Sequence, residues 1–216
     1  MSKLIHKEFS PLKVVEFVEI SSGEAHSLAI KEDGTAWAWG SNGDGRLGTN
    51  GNWWESKSSP VLVVGNHSFI EIYGGGGSSR SAARKYNGEI WSWGYGGAGQ
   101  LGQNTDTDNK YSPVLVVGSH SFVEFSLSWP ICAARKEDGS VWAWGDNRGD
   151  ASGALGNNTT EQKSSPVLVV GGHSFIQIAT GYTHTLARKQ DGTVWAWGYN
   201  NWGGLGFGDK TSASSP

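Results

Sequence analysis

The sequence predicts an all-β fold assembled from about four copies of one repeating unit. Three observations predict it. Pro60-Val61-Leu62-Val63-Val64-Gly65 returns as Pro113 to Gly118 and as Pro166 to Gly171, a spacing of 53 residues each time. A Trp-x-Trp-Gly element occurs four times, at Trp37/Trp39, Trp91/Trp93, Trp142/Trp144 and Trp195/Trp197. Each is preceded by a turn dipeptide: Asp33-Gly34, Asn87-Gly88, Asp138-Gly139 and Asp191-Gly192. Such a dipeptide between two β-forming runs is a strong short-range hairpin signal. A fixed period of a few tens of residues marks a stacked repeat architecture.

The whole of 1–216 reads as a single repeat domain, with copies near 11–59, 60–112, 113–165 and 166–216. Residues 1–10 resemble the tail of a preceding copy or a closing strand. The first copy is degenerate: Pro11-Leu12-Lys13-Val14-Val15 runs directly into Glu16-Phe17-Val18-Glu19-Ile20. Four strands are expected per copy. The Val-rich run comes first, with its proline at the first residue, where no ladder donor is needed. The second covers Ser68 to Ile72 and its equivalents. The third and fourth form the hairpin, around a type I′ turn that needs positive φ at both turn residues. No segment carries a sustained helical period.

Residues i and i+2 of a strand share a face, so each Trp-x-Trp pair makes one broad aromatic surface. The residue between is small: Ala38, Ser92, Ala143 or Ala196. The large face of one unit is therefore expected to pack on the small face of the next, as close-packed interiors require. Each indole N–H then needs an acceptor. His67, His120 and His173 of the His-Ser-Phe element are assigned turn or capping roles. Cys132 aligns with Leu28 and Leu186 and is read as core.

These residues resemble the regulator of chromosome condensation repeat family. Gly23-Glu24-Ala25-His26-Ser27-Leu28 and Gly181-Tyr182-Thr183-His184-Thr185-Leu186 match its first element. Trp93-Gly94 to Gly99-Gln100-Leu101-Gly102 matches its last, as do the runs ending at Gly48, Gly156 and Gly206. The resemblance implies a β-propeller with four-stranded blades. Repeats two and three depart from it, with Arg80 and Ile131 where the histidine belongs. The family's usual ring has seven blades, so an array of four four-stranded blades is expected to be completed by oligomerisation or strand-swap closure. Two chains forming one eight-bladed ring would remove the open sheet edges.

Composition narrows the function. Charged residues make up 17% of the chain and the net charge is −3, with no basic cluster. That argues against nucleic acid and anionic membranes as partners. The 33 glycines accompany 12 tryptophans, so they are read as turns between packed strands and not as disorder. One cysteine precludes an intrachain disulfide, and the N-terminal residues have no apolar leader. Both lead to the expectation of a cytoplasmic chain. No catalytic constellation, metal set or cofactor motif emerges. The glycine runs 74–77 and 94–99 lack the Gly-Lys-Ser/Thr step and following helix of a phosphate loop.

Comparison of the copies shows a constant framework and three variable places: after the second strand, after Trp-Gly, and before Ser-Pro. The variable places collect Trp53, Trp54, Tyr73, Tyr95, Trp129, Tyr182, Tyr199 and Trp202. Trp and Tyr are common interface anchors, and recognition residues concentrate on loops over a rigid frame. The expected function is a non-enzymatic scaffold that binds a protein partner through these aromatic residues. The alternatives are a self-assembling structural protein and, by the resemblance, a guanine-nucleotide exchange regulator.

Overall fold

The computed structural model describes residues 16–77 and 79–216, and the described residues are all-β. The calls on 1–10 and on Pro11 to Val15 lie outside them. The first sheet has β1 (Phe17–Ser22), β2 (His26–Lys31), β3 (Ala36–Gly40) and β4 (Lys57–Leu62), in that spatial order. The second repeats it with β5 (Glu71–Gly74), β6 (Arg80–Arg84), β7 (Ile90–Gly94) and β8 (Lys110–Leu115). The third has β9 (Glu124–Leu127), β10 (Ile131–Arg135), β11 (Val141–Gly145) and β12 (Lys163–Leu168). The fourth has β13 (Gln177–Thr180), β14 (His184–Arg188) and β15 (Val194–Gly198). Among the described residues three sheets are thus four-stranded and the last is three-stranded. In the last, Ala213 and Gly198 exchange backbone hydrogen bonds of 3.0 and 2.6 Å where a fourth strand would pair. Among the described residues the named strands all pair antiparallel. The sheets form an open array of propeller blades.

The Pro-Val-Leu run is not the first strand of its own blade. Pro60 lies inside β4, where Val61 faces Ala38 of β3, so the run is the outer strand of the preceding blade. An edge position tolerates the missing proline N–H. Gly65, at φ 109°, then turns the chain, and His-Ser-Phe carries it into the next blade. Each sequence repeat therefore straddles two blades. The strand predicted at Ser68 to Ile72 begins only at Glu71.

The hairpins stand where predicted, but the turn differs. Gly34 has φ 81°, while Asp33 is not among the residues of positive φ. Gly34 N–H bonds Lys31 C=O at 2.8 Å and Lys31 N–H bonds Thr35 C=O at 3.0 Å, closing a three-residue loop with a left-handed glycine. Asp33 Oδ1 instead accepts Thr35 N–H at 2.9 Å and the Thr35 hydroxyl at 2.6 Å. Asp138 with Ser140 and Asp191 with Thr193 do the same. A side-chain acceptor two residues back stabilises this loop over the type I′ alternative. Gly34 C=O also accepts Phe69 N–H at 2.9 Å, which docks the connector on the turn.

The core lies between blades. Leu28, Ala38, Leu47 and Val63 of the first blade enclose Trp93, Ile72 and Phe69. Ala82, Ile90 and Val116 do the same for Trp144, Phe125 and Phe122. Ala133, Val141, Leu155 and Val169 do so for Trp197, Ile178 and Phe175. Large face meets small face as expected. The three sealed indoles donate their N–H to a carbonyl of the preceding blade: Trp93 to Arg46 at 2.9 Å, Trp144 to Gln100 at 3.1 Å, Trp197 to Ala154 at 3.0 Å.

The first tryptophan of each of these pairs is half-buried. His67, His120 and His173 are not caps: their rings lie 4.2, 4.3 and 4.3 Å from Trp91, Trp142 and Trp195. Lys85, Lys136 and Lys189 sit over the same indoles at 4.5, 4.7 and 4.2 Å. These are cation–π contacts.

A polar seam accompanies each junction. The His26 Nε2–Ser81 Oγ distance is 2.9 Å, and Ser81 Oγ donates to Arg46 C=O at 2.8 Å. At the next junction Arg80 takes the histidine's place and Cys132 the serine's. Arg80 is fully buried and donates to Gln100 C=O at 3.1 Å, Cys132 Sγ at 3.2 Å, Ile131 C=O at 2.8 Å and Ser128 C=O. Cys132 is core, but it faces Trp144 as Ser27 faces Trp39, so its counterpart is Ser27 and not Leu28. At the third junction Thr185 Oγ1 donates to Ala154 C=O at 2.9 Å.

Two outcomes follow from this packing. Trp93→Ala is expected to cost ~3–5 kcal/mol in urea melts, as other large aromatic truncations do. Acid should also loosen the seam. Burial, with Arg46 nearby, pushes the His26 pKa down to about 4. The unfolded chain therefore binds more protons between that value and roughly 6.5. Stability is expected to fall by about 2 kcal/mol from pH 7.5 to pH 5 on account of His26 alone. Burial lowers the pKa of His67, His120, His173 and His184 in the same direction. Urea melts at the two pH values should show a smaller drop for His26→Gln than for the unsubstituted chain.

Candidate functional site

Antiparallel strand order decides which loops meet. In every blade the loop between first and second strands leaves from the same end as the loop after the third. The hairpin turn and the His-Ser-Phe connector leave from the other. All three variable places therefore lie at one end of the array, the loop face.

The loops after the third strand are held at their base by buried asparagines. Asn42 Oδ1 accepts Leu47 N–H at 3.1 Å and its Nδ2 donates to Asn52 C=O at 2.9 Å. Asn147 binds Leu155 N–H at 3.1 Å and Thr159 C=O at 2.7 Å. Asn200 binds Leu205 N–H at 2.9 Å and Thr211 C=O at 3.1 Å. These staples were not singled out from the sequence, although an asparagine three residues after Trp39, Trp144 and Trp197 was the available signal. The second blade has Gly96 there, and its N–H bonds Asn109 Oδ1 at 3.1 Å. A Cβ on Gly97 would lie 2.3 Å from the Tyr95 hydroxyl, so this glycine run seats an aromatic ring.

Seven of the eight aromatic residues singled out above lie on the loop face. Trp53 and Trp54 are exposed and meet edge to face at 5.4 Å. Tyr95 of the second blade and Trp129 of the third are half-buried against each other at 5.4 Å, which joins two blades. Tyr182 and Trp202 are exposed, Trp202 at 90%. Tyr199 is half-buried, and its hydroxyl accepts from Asn201 Nδ2. Trp53 and Trp54 lie on the first blade and Trp202 on the last, so the seven form a band of clusters along the face and not one pocket.

Tyr73 is the exception: it belongs to β5 and not to a loop. The first strands of neighbouring blades are laced by side chains. Glu19 Oε1 accepts Ile72 N–H at 3.1 Å and Ser21 Oγ accepts Gly74 N–H at 3.0 Å. Glu124 and Ser126 do likewise toward Ile178 and Thr180, both at 3.0 Å. Tyr73 occupies the serine register in the second blade. Its ring meets Phe125 edge to face at 4.6 Å in place of a hydroxyl-to-backbone bond. Burial, then the neighbouring carboxylates, raises its phenol pKa.

Charge on the loop face is largely neutralised locally. Lys57 pairs with Glu55 at 2.6 Å, Lys110 with Asp108 at 3.7 Å, Arg148 with Asp146 at 2.8 Å and Lys163 with Glu161 at 2.9 Å. Among the described residues no group of three His, Cys, Asp or Glu side chains could hold a metal ion. What the face offers is aromatic surface on a rigid frame.

Comparison with known proteins fits this geometry. The family model described as regulator of chromosome condensation (RCC1) repeat matches residues 33–79, 87–134 and 138–188, and a second model of the same description matches 17–46 and 175–203. The E3 ubiquitin-protein ligase HERC2 of Homo sapiens is 34% identical over 190 residues, covering 85% of this chain and 4% of that protein. The ultraviolet-B receptor UVR8 of Arabidopsis thaliana is 27% identical over 216 residues, covering 96% of this chain and 48% of that protein. The chain thus spans less than half the length of these curated relatives. Prp20p of Saccharomyces cerevisiae superposes with a TM-score of 0.80 at 19% identity, covering 95% of this chain and 50% of that one. Human WBSCR16 superposes at 0.77 and 21% identity, covering 93% and 51%. With repeat models spanning most of its length, on the same glycines, tryptophans and hairpins that build its blades, the chain belongs to the regulator of chromosome condensation repeat family.

Proposed function

We propose that the chain is a non-enzymatic propeller scaffold whose loop face binds a protein partner. One observation carries this reading: the framework tryptophans Trp93, Trp144 and Trp197 are sealed between blades, whereas Trp53, Trp54, Tyr182 and Trp202 stand exposed at the variable end. Exposed aromatic residues cost solvation and contribute nothing to the seams. On a rigid frame they offer large contact area at low cost in side-chain entropy. The paired lysines and carboxylates around them leave no concentrated positive field for a polyanion.

The same fold serves protein binding elsewhere. The Prp20p structure was described with that protein's binding to Gsp1p and histones, and Kap60 has been solved bound to yeast RCC1 (Prp20). For this chain the partner's surface chemistry is expected to be apolar or amphipathic.

The test is a retention experiment with Trp54, Tyr182 and Trp202 replaced together by Ser. All three side chains are exposed, so the urea midpoint should barely move, as for surface substitutions generally. Proteins retained on the immobilised chain are compared with those on the triple variant and on Tyr86→Ser, a control at the opposite face, where Tyr86 is 89% exposed. A retained protein should be lost at least tenfold from the triple variant and kept by the control. Equal retention by the triple variant would reject the loop face.

A further inference from the structure

The sequence holds three Asn-Gly steps, at Asn42-Gly43, Asn50-Gly51 and Asn87-Gly88. At such a step the backbone nitrogen of the glycine can attack the side-chain amide of the asparagine, because glycine has no side chain to obstruct the approach. The structure blocks two of the three. Asn42 is 2% exposed, and its amide is held at both ends by Leu47 N–H and Asn52 C=O. Asn87 is exposed, but its Oδ1 accepts Glu89 N–H at 3.1 Å and its C=O accepts the Ser121 hydroxyl at 2.9 Å. Gly88 N–H is committed to Lys85 C=O at 2.9 Å, and Gly88 C=O accepts Phe122 N–H at 3.0 Å. Attack there would break the hairpin loop and the connector docked on it.

The step at Asn50 is unencumbered. Asn50 and Gly51 are both exposed, and among the described residues Gly51 N–H makes no backbone hydrogen bond. A Cβ on Gly51 would meet only Thr49 Oγ1, at 3.4 Å. Asn50 is anchored through its own N–H, which donates to Tyr111 C=O of the next blade at 2.7 Å. The same tie recurs from Asn104 to Ser164 at 2.7 Å and from Asn158 to Ser214 at 2.8 Å. The three asparagines share a left-handed backbone, with φ of 54, 60 and 60°. The next residue in the other two copies is Thr105 or Thr159, whose branched side chain crowds the backbone nitrogen. One framework position is thus built three times, and only the first copy follows it with glycine.

We propose that Asn50 is a site of deamidation built into the loop face. The Gly51 nitrogen gives up its proton to base and forms a bond to Asn50 Cγ. The side-chain amide nitrogen takes up a proton and leaves as ammonia. One water then hydrolyses the resulting succinimide at either carbonyl, which gives an aspartyl or an isoaspartyl residue at position 50. Either product adds one negative charge to the loop that carries Trp53 and Trp54. The isoaspartyl form also inserts a methylene into the main chain, between the tie to Tyr111 and the Asn42 staple on Asn52 C=O. This chemistry does not rest on the loop face binding a partner.

The test holds the purified chain in mildly alkaline buffer and maps its peptides by mass spectrometry over time. Conversion is expected at Asn50 at least about tenfold faster than at Asn87, because the hydrogen bonds around Gly88 must be given up before attack. In guanidinium chloride the two steps should convert at similar rates, since the fold sets the difference. Gly51→Ala has room for its Cβ and should keep the fold, while slowing Asn50 to the level of Asn104 and Asn158. An Asn50 that stays intact in the folded chain while the unfolded chain converts would overturn the inference. So would folded-state conversion at Asn87 as fast as at Asn50, or conversion at Asn50 undiminished in Gly51→Ala. Partner retention plays no part in this readout, so its outcome and that of the loop-face proposal are read separately.

Discussion

The burial of one indole between two blades is the constraint on which the rest of the structure depends. Trp93, Trp144 and Trp197 each fill the space over an alanine or serine of the preceding blade and hand their N–H to a carbonyl of its third-strand loop. An alanine in the middle of the Trp-x-Trp pair is required by the neighbour and not by its own blade. A larger side chain there would push the next indole away, and interiors packed to crystal density have no room to absorb that. The carbonyl acceptor in turn demands that the loop carrying it be rigid. The buried asparagines at Asn42, Asn147 and Asn200 supply that rigidity by satisfying both ends of the loop.

The polar seam shows how one geometry is met by different chemistry. His26 uses a neutral ring, Arg80 a guanidinium and Ile131 no polar group at all. Arg80 has no carboxylate among its partners, and burial lowers its pKa. Its charge is offset by carbonyl dipoles that converge from the third blade and from the Gln100 loop. A buried charge with a missing partner is expensive, so the second-to-third junction is the one least tolerant of change at the seam. Tyr73, which displaces the serine lacing there, belongs to the same local departure.

The seams absorb the framework aromatics and the bases of the third-strand loops, which leaves the exposed aromatic residues of the loop face outside the packing between blades. Strength lies in the stack and variation lies at one end, an arrangement that allows loops to change without cost to folding. The lysines stacked on Trp91, Trp142 and Trp195 mark the opposite end, where sequence is constant because the connector, the hairpin turn and the indole share one contact.

Much of this was legible in the sequence, because its causes are local. A 53-residue period, alternation about a small residue and an Asp-Gly step each act within a few residues, so they announce repeats, strand faces and hairpins. The packing of a Trp-x-Trp face on the next unit followed from that alternation, but the half-burial of the first tryptophan in each pair did not. Tertiary structure alone decided which blade receives the Pro-Val-Leu run, since an antiparallel partner on either side suits the same pattern, and only the path through Gly65 selects the earlier blade. It also decided the turn type, where Asp33 found two donors on Thr35, and the register that makes Cys132 the counterpart of Ser27. Above all, the gathering of every variable segment at one end is a product of strand order: no residue encodes it, because it arises from where antiparallel strands begin and end.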